Sequence, residues 1–295
     1  MSTTENLETF VAAVRAGSFA GAARQLGLSP AMVGRRIQAL EERYGARLIE
    51  RTTRAQRLTA LGESFFAQAE HVLEATAELD ELTKATPGRL EGRIRLTGPA
   101  TLGTHRLAAI VARFCEAHPA VTVEMSLNDR RADLIAEGFD FAVRIGELQV
   151  SAMIARPVGT YRLLVCAAPA YLSDHPAPSH PADLVQHRCL INLNMLPRGR
   201  WPFVSPQGET VVAEVEGQLQ IDNGEAQKAA ALEGAGIVYL PEDLAGADLD
   251  AGRLVQVLPE WRTLTLPINL VYPTRRLVPR RVTALMDAIA SGLKE

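Results

Sequence analysis

The sequence predicts a two-part α/β protein: a small basic helical head, one long helix, and a larger body in which strands and helices alternate. Three observations carry this. The first 60 of the 295 residues hold nine arginines against five glutamates, a net +4 in a chain whose total charge is −3. From Thr59 to about Thr86 apolar residues recur at helical spacing, until Pro87, Gly88 and Gly92 break the run. Beyond the break, short apolar runs alternate with helical patterns, which implies a largely parallel sheet covered by helices. The expected boundaries are 1–60 for the head, 61–88 for the linking helix and 89–295 for the body.

Composition narrows the class. With 47% hydrophobic and 22% charged residues the chain is ordinary globular material, enough for two or three domains. A basic head on a body of net −7 points to a polyanion partner for the head alone. The start, "MSTTENLETF", is polar and acidic, unlike a secretory leader. No apolar run nears the ~18 residues that a membrane span requires. The expectation is therefore a cytoplasmic protein with no membrane partner. Cys115, Cys166 and Cys189 are far apart and odd in number, which fits core thiols in a reducing compartment.

In the head, "NLETFVAAVRAG" places Leu7, Phe10, Val11 and Val14 on one helical face and stops at Gly17. "SFAGAARQLG" follows, with Ser18 as its cap, Gly27 as its stop, and the small Ala22 and Ala23 admitting a neighbouring helix. The turn "GLS" leads into "SPAMVGRRIQALEERYG". Ser29 caps this third helix, Pro30 suits its first turn, Val33, Ile37 and Leu40 form its buried stripe, and Gly45 ends it. Gly34 lies inside, at a cost of about 1 kcal/mol relative to alanine, beside Arg35 and Arg36. Two short helices joined by a tight glycine-containing turn form a helix-turn-helix, whose second helix is offered to the major groove. "RLIERTTRAQRLT" then reads as a hairpin wing, with Leu48 and Ile49 going out and Leu58 returning.

Residues off the buried stripe face outward. Ala31 and Met32 are expected to touch thymine methyls, Gly34 to admit close approach, and Arg35 or Gln38 to read base edges. Arg36 and the helix-cap residues Ser18, Ser29 and Pro30 suit the phosphate backbone. On the wing, Arg51, Thr52 and Arg54 would lie over backbone or the flanking minor groove. In the long helix Phe65, Val72 and Leu79 are seven apart, and so are Leu61, Ala75 and Leu82 with Gln68 as the exception, which suggests pairing between two chains.

In the body, "GRIRLTG", "VTVEMSL" and "DFAVRIG" read as strands, separated by the helical "GTHRLAAIVARFCEAHP" and "RADLIAEG". "YRLLVCAA", "CLINL", "GIVYLP" and "LPINLVYP" continue the strands. "ADLVQH", "DNGEAQKAAALEGAG" and "PRRVTALMDAIASGL" continue the helices. The motifs GxSxG, HExxH and CxxC are absent, and no glycine run ends in Lys-Ser/Thr. "GAG" at 234–236 lacks a third glycine, and His175, His180 and His187 stand in a proline-rich loop that implies no ligand geometry. Neither an enzyme nor a metal or other cofactor is expected. Carboxylates such as Glu41 and Glu42 read as exposed helix faces. In open α/β sheets ligands bind at strand carboxyl ends. "TGPATLG" leads from the first strand into a helix start, whose free N–H groups attract anions, so Pro99, Ala100, Thr101, Leu102 and Gly103 are candidates. Arg144 and Gly146 of "RIG", with Arg144 meeting a carboxylate, join Asn192, Asp222 and Asn223 from the second half. Strand-end packing or capping is the alternative at each.

The stretch from Gly17 to Glu63 resembles the winged helix-turn-helix of LysR-type transcriptional regulators. The family pattern is met at Gly17, Ser18, Phe19, Ala22, Ala23, Leu26, Ser29, Val33, Ile37, Leu40, Glu41, Gly45, Leu48, Arg51, Leu58, Thr59 and Gly62. "LTGPATLGTHRLA", "DLIAEGFDFAVRIGEL", "CAAPAYL" and "EGAGIVYLPEDL" resemble the effector domain of the same family. The resemblance implies an N-terminal winged helix-turn-helix, a long linker helix for dimerisation, and a two-lobed α/β body like a periplasmic binding protein. Lobe I would take about 89–161 and 266–295, lobe II about 162–265, with two crossing strands and a cleft between them. It also implies a regulator that binds partly palindromic double-stranded DNA as a homodimer or homotetramer and answers to a small, anionic effector. RNA polymerase is a further candidate partner. A solute-binding protein or an enzyme on the same body is the rival reading. The chain departs from the family at Gly34, where a serine whose hydroxyl contacts DNA is usual.

Overall fold

The computed structural model describes residues 2–51, 56–82, 89–148, 153–273 and 278–294. The head is built by α1 (Thr3–Arg15), α2 (Phe19–Leu26) and α3 (Pro30–Tyr44). Phe10, Ala13, Ala22, Val33, Ile37 and Leu40 are buried between them. Gly17, Gly27 and Gly45 turn the chain at helix ends with φ near +63°, a conformation that glycine adopts without Cβ strain. Strands β1 (Ile49–Arg51) and β2 (Gln56–Leu58) form the antiparallel wing, with Ile49 opposite Leu58.

Helix α4 (Ala60–Leu82) leaves the wing and packs back on the head. Phe65 meets Phe10 edge-on at 5.5 Å and Tyr44 at 5.0 Å, so part of the heptad-like stripe is used within the chain's own head. Leu61 and Val72 stay exposed. The side chains of Ala75, Leu79 and Leu82 lie outside the described residues. Thr59 Oγ1 accepts from Gly62 N at 2.8 Å and donates to Arg47 O at 2.9 Å, fastening the start of α4 to the base of the wing. A Cβ on Gly62 would stand 2.1 Å from Leu48 O, so only glycine permits this approach.

The body begins with β3 (Gly92–Gly98), followed by α5 (Ala100–Leu102), a π-helical turn (Gly103–Leu107) and α6 (Ala108–Ala117). β4 (Val121–Leu127), β5 (Phe141–Ile145) and the long β6 (Met153–Ala167) come next. Then follow α7 (Pro169–Asp174), a 3-10 turn (Pro181–Gln186), β7 (Cys189–Asn192), β8 (Arg200–Val204), β9 (Thr210–Glu214) and β10 (Gln220–Ile221). The chain closes with α8 (Gly224–Leu232), β11 (Ile237–Pro241), α9 (Glu242–Asp250), β12 (Val255–Gln256), β13 (Arg262–Thr263), β14 (Thr265–Pro273) and α10 (Arg280–Gly292).

Among the described residues one sheet runs β10-β7-β11-β6-β14-β5-β3-β4, with β12 also on β6. β3 pairs in parallel with β4 and β5, and β7 in parallel with β10 and β11. Between these parallel sets, β6 and β14 are antiparallel to each other and to their neighbours. The sheet is thus mixed where the sequence suggested largely parallel, because the chain crosses from lobe I to lobe II on β6 and returns on β14. α6 and α10 cover lobe I around Ile94, Leu96, Phe141 and Val143, while α8 and α9 cover lobe II around Val238 and Leu240.

Other sequence expectations change. "RADLIAEG" is a series of turns, not a helix. Asp133 Oδ1 accepts from Ile135 N and Ala136 N at 3.1 Å each, offering the backbone a local alternative to the helical ladder. "ADLVQH" is 3-10 rather than α. A separate sheet, β13-β8-β9, buries Trp201 and Phe203 and has no counterpart among the strands expected from the sequence. Burial pushes the free thiols of Cys166 and Cys189 up to about 12, so both stay protonated and inert. No helix among the described residues is long and apolar enough to cross a membrane.

Head and body meet at Glu70 of α4, which is buried. Its carboxylate takes Arg15 Nη2 from α1 at 2.8 Å and Arg93 Nη1 from β3 at 3.2 Å, and Arg93 reaches on to Glu124 of β4. Gln68 Nε2 donates to Ile135 O at 3.3 Å beside it.

Two glycines in the head make a matched pair. Gly62→Ala should displace the wing base and cost about 1–3 kcal/mol. Gly34→Ala, whose Cβ would meet only the Phe19 ring at 3.7 Å, should raise stability by up to about 1 kcal/mol. Denaturant unfolding of the two variants would show opposite shifts of midpoint.

Candidate nucleic-acid interface and ligand cleft

Helix α3 starts with Ser29 Oγ accepting from Met32 N at 3.2 Å, and Pro30 occupies its first turn. Because Val33, Ile37 and Leu40 are fully buried, the opposite edge is open: Pro30, Ala31, Arg35 and Gln38 are exposed, Met32 and Gly34 half-buried. Gln38 Nε2 donates to Glu42 Oε1 at 2.8 Å, which aligns its amide along the helix. Gly34 borders the Phe19 ring, so a Cβ there would rest in ordinary contact. Ser18 caps α2, its hydroxyl accepting from Gly21 N at 3.0 Å.

Arg36 does not join this edge. Its Nη1 donates to Thr9 Oγ1 at 3.2 Å, its Nη2 stands 3.8 Å from Glu5, and its side chain is only 17% exposed. The expected phosphate contact is turned inward because α1 offers a hydroxyl and a carboxylate on the side that Arg36 faces. Arg51 lies on β1, and Thr52 and Arg54 lie outside the described residues.

Glu41 has a role that the sequence did not reveal. Its Oε1 accepts from Leu48 N at 2.8 Å and Ile49 N at 3.1 Å, so a carboxylate read as solvent-facing clasps the wing to α3. Hydrogen bonds to a charged acceptor are about twice as strong as neutral ones. The wing and the exposed edge of α3 are therefore held as one surface.

In the body, the strand-end candidates divide. Leu102 is fully buried in the core, and a Cβ on Gly103 would stand 2.4 Å from Leu127, so both serve packing instead of a ligand. Gly146 N donates to Pro267 O at 2.9 Å and Gly146 O accepts from Asn269, which ties it into the sheet. Pro99, Ala100 and Thr101 do reach the junction of the lobes. The distance from Thr101 Oγ1 to a Cβ built on Gly224 would be 2.8 Å, so the lobes touch here. His105 Nε2 pairs with Glu225 Oε1, and Arg106 stands 3.9 Å from Asp243.

The helix start at Ala100 is already occupied. Ala100 N donates to Asp129 Oδ1 at 3.2 Å, and Asp129 Oδ2 accepts from Asn194 Nδ2 of lobe II at 3.3 Å. The chain's own carboxylate stands where an anionic ligand was expected. Asn194 also donates to Asp222 O, and its N–H donates to Asn192 Oδ1 at 2.8 Å. Asn192 Nδ2 donates to Gln227 Oε1 at 3.0 Å, and Asn223 caps α8 through Ala226 N at 3.0 Å. Asp129 and Asn194, which no sequence motif marks, thus clasp the two lobes together at the junction. Arg144 lines a separate cavity, with Nη1 donating to Arg130 O at 3.2 Å, and acts on the junction only through its charge, which lowers the pKa of Asp129.

Among the described residues no group of three or more His, Cys, Asp or Glu could hold a metal ion.

Comparison with known proteins divides the chain into the same head and body. Residues 4–63 match the family described as "Bacterial regulatory helix-turn-helix protein, lysR family", and residues 87–294 match "LysR substrate binding domain". The HTH-type transcriptional regulator YhjC of Escherichia coli is 34% identical over 98% of this chain and 97% of its own length. Among solved structures, CrgA, a LysR-type transcriptional regulator from Neisseria meningitidis, is 29% identical with a TM-score of 0.64, covering 100% of both chains. The full-length Vibrio cholerae virulence activator AphB is 31% identical with a TM-score of 0.61, covering 99% of both.

Asp129 gives the junction a pH signature. Desolvation of its carboxyl between the lobes raises its pKa above the usual 3.8, Asp222 adds to the rise, and the bond from Ala100 and the charge of Arg144 oppose it. A carboxyl raised in the folded state favours folding fully below the unfolded value of 3.8, and that contribution fades as pH climbs through the raised value. Asp129→Asn, neutral throughout, should therefore gain stability relative to the parent across this acid window and then hold a constant difference. Parallel stability curves for the two proteins would contradict a desolvated Asp129.

Proposed function

We propose how this protein, which belongs to the LysR family of transcriptional regulators, divides its work between a DNA-reading edge and a ligand-gated body. The exposed edge of α3 enters the major groove of double-stranded DNA, where Arg35 and Gln38 read base edges and Ala31 and Met32 contact thymine methyls. The wing, held by Glu41, lies over the flanking backbone. The single observation that carries this reading is the geometry of α3: a capped helix with one edge buried and Arg35 exposed on the other.

Two chains would pair through α4, where Leu61 and Val72 are exposed, as a homodimer or, by a second contact, a homotetramer. A two-fold dimer requires a partly palindromic operator. A small effector would enter the lobe junction near Thr101, Asp129, Asn194 and Gly224. An anionic effector reaches Ala100 only by displacing Asp129. Occupancy shifts the balance of lobe arrangements and so the spacing of the two heads. The protein would act in the cytoplasm, without catalysis of its own, and with RNA polymerase as a partner at its promoters.

The test is a genome-wide footprint of bound sites followed by mobility shifts on the strongest one. Arg35→Ala should lose roughly 1–3 kcal/mol of specific affinity while unfolding like the parent; unchanged affinity removes Arg35 from the reading set. Gly34→Ser should keep the fold, and a changed base preference would make residue 34 a specificity position.

A further inference from the structure

We propose that Glu42 is a positioning residue for base reading: by fixing the Gln38 amide, it makes the outward edge of α3 accept adenine and reject guanine at one base pair of each half-site. The inference rests on the reading of α3 given above and adds the residue that sets its selectivity. With about 100° between successive residues, Ala31, Arg35 and Gln38 all point within about 40° of the Glu42 direction. That direction is opposite the buried Val33, Ile37 and Leu40, and all four residues are exposed. A carboxylate thus stands on the edge that meets a polyanion, where its charge lowers affinity for every sequence. Base discrimination is a gain that offsets this cost.

The two neighbouring carboxylates have different tasks. Glu41 is committed to the wing through Leu48 N and Ile49 N. Glu42 Oε1 instead accepts from Gln38 Nε2 at 2.8 Å, while the adjacent Arg43 turns to α1 and donates to Thr3 Oγ1 at 2.6 Å. The i, i+4 spacing makes the Gln38–Glu42 bond local to the helix, so it is formed before DNA arrives. Both side chains border an open concavity of 610 Å³ between the C-terminal half of α3 and the wing base, with Gly45 and Arg47 on its rim. A duplex edge can therefore approach the pair, and Arg47 offsets the carboxylate beside the phosphates. A glutamine amide has one acceptor oxygen and two N–H donors. With one N–H committed to Glu42, an acceptor and a single donor remain. Adenine presents their complement in the major groove, an N6 donor and an N7 acceptor, whereas guanine presents two acceptors, O6 and N7. Against guanine the fixed amide oxygen faces O6, acceptor to acceptor. Without Glu42 the amide can turn over and offer its N–H groups to guanine, so discrimination falls.

The experiment selects bound duplexes from a random-sequence library with the full chain, then measures affinity for the selected duplex and its single-base-pair variants by mobility shift. At one base pair of each half-site the parent should prefer adenine to guanine roughly tenfold or more. Gln38→Ala should erase that preference and leave the others. Glu42→Ala should cut it to about threefold or less. Glu42→Gln, which keeps an acceptor for Gln38 but no charge, should retain most of it. Replacing N7 of that adenine by C–H should weaken the parent and leave Gln38→Ala unchanged. The proposal is overturned if Gln38→Ala keeps every base preference of the parent. It is equally overturned if Glu42→Ala leaves the adenine-to-guanine ratio unchanged, as a plain charge effect would, or if Glu42→Gln behaves like Glu42→Ala. Arg35→Ala separates the two readings. If it too leaves every preference intact, α3 is not the reading element; if it alone loses preference, only the role of Glu42 fails.

Discussion

The antiparallel ladder between β6 and β14 is the constraint on which both lobes depend. β5 of lobe I is zipped to β14, and β11 of lobe II is zipped to β6, so each lobe is an extension of the same pair. The register of that pair shifts between Ile268 and Asn269. Asn269, which is buried, donates to Gly146 O at this same level and ties the irregularity to the end of β5. A continuous two-strand connection permits bending and twisting at the irregularity, but not sliding of one lobe past the other. The junction contacts from Thr101, His105 and Asp129 to lobe II are therefore the closing edge of a hinge whose axis the ladder defines.

The segment that starts at Asp129 touches more than the junction. Within ten residues it bonds Ala100 and Asn194 through Asp129, pairs Arg130 with Glu137, and offers Ile135 O to Gln68 of α4. Next to it, Glu70 holds an arginine from the head and one from the body. A carboxylate shielded to this degree depends on both partners, since removing one leaves an uncompensated charge in a poorly solvated place. The head, α4 and lobe I thus share a polar seam.

Local chemistry was legible where it is periodic or terminal. The Val33, Ile37 and Leu40 stripe, the Ser18 and Ser29 caps, and the glycine stops all follow from 3.6-residue spacing and backbone sterics. What failed depends on partners distant in sequence. Phe65 fits a repeat, but a repeat does not say whether its partner is another chain or Phe10. Glu41 looks like any surface carboxylate until Leu48 N and Ile49 N arrive. At the ligand site the strand-end rule found the region but not the face: Leu102 and Gly103 turn into the core and Arg144 to the far side. Pro202 in β8 argues against a strand, yet β8 pairs with β9 through that very position.

Gly62 has a mechanical consequence. With Leu48 O in the space that a Cβ on Gly62 would fill, the wing base is seated directly on α4, and Glu41 ties α3 to the same wing. Helix α4 has 23 residues, roughly 34 Å at about 1.5 Å each. The body grips the helix at Gln68 and Glu70, so the arm from that seam to the wing is about ten residues, roughly 15 Å: a tilt of roughly 13° in α4 carries the wing end of the head by roughly 3.5 Å, about one base-pair step along a duplex with a ~34 Å turn. A glycine with no room for a methyl group thereby sets the gearing between what the body does and where the protein reads.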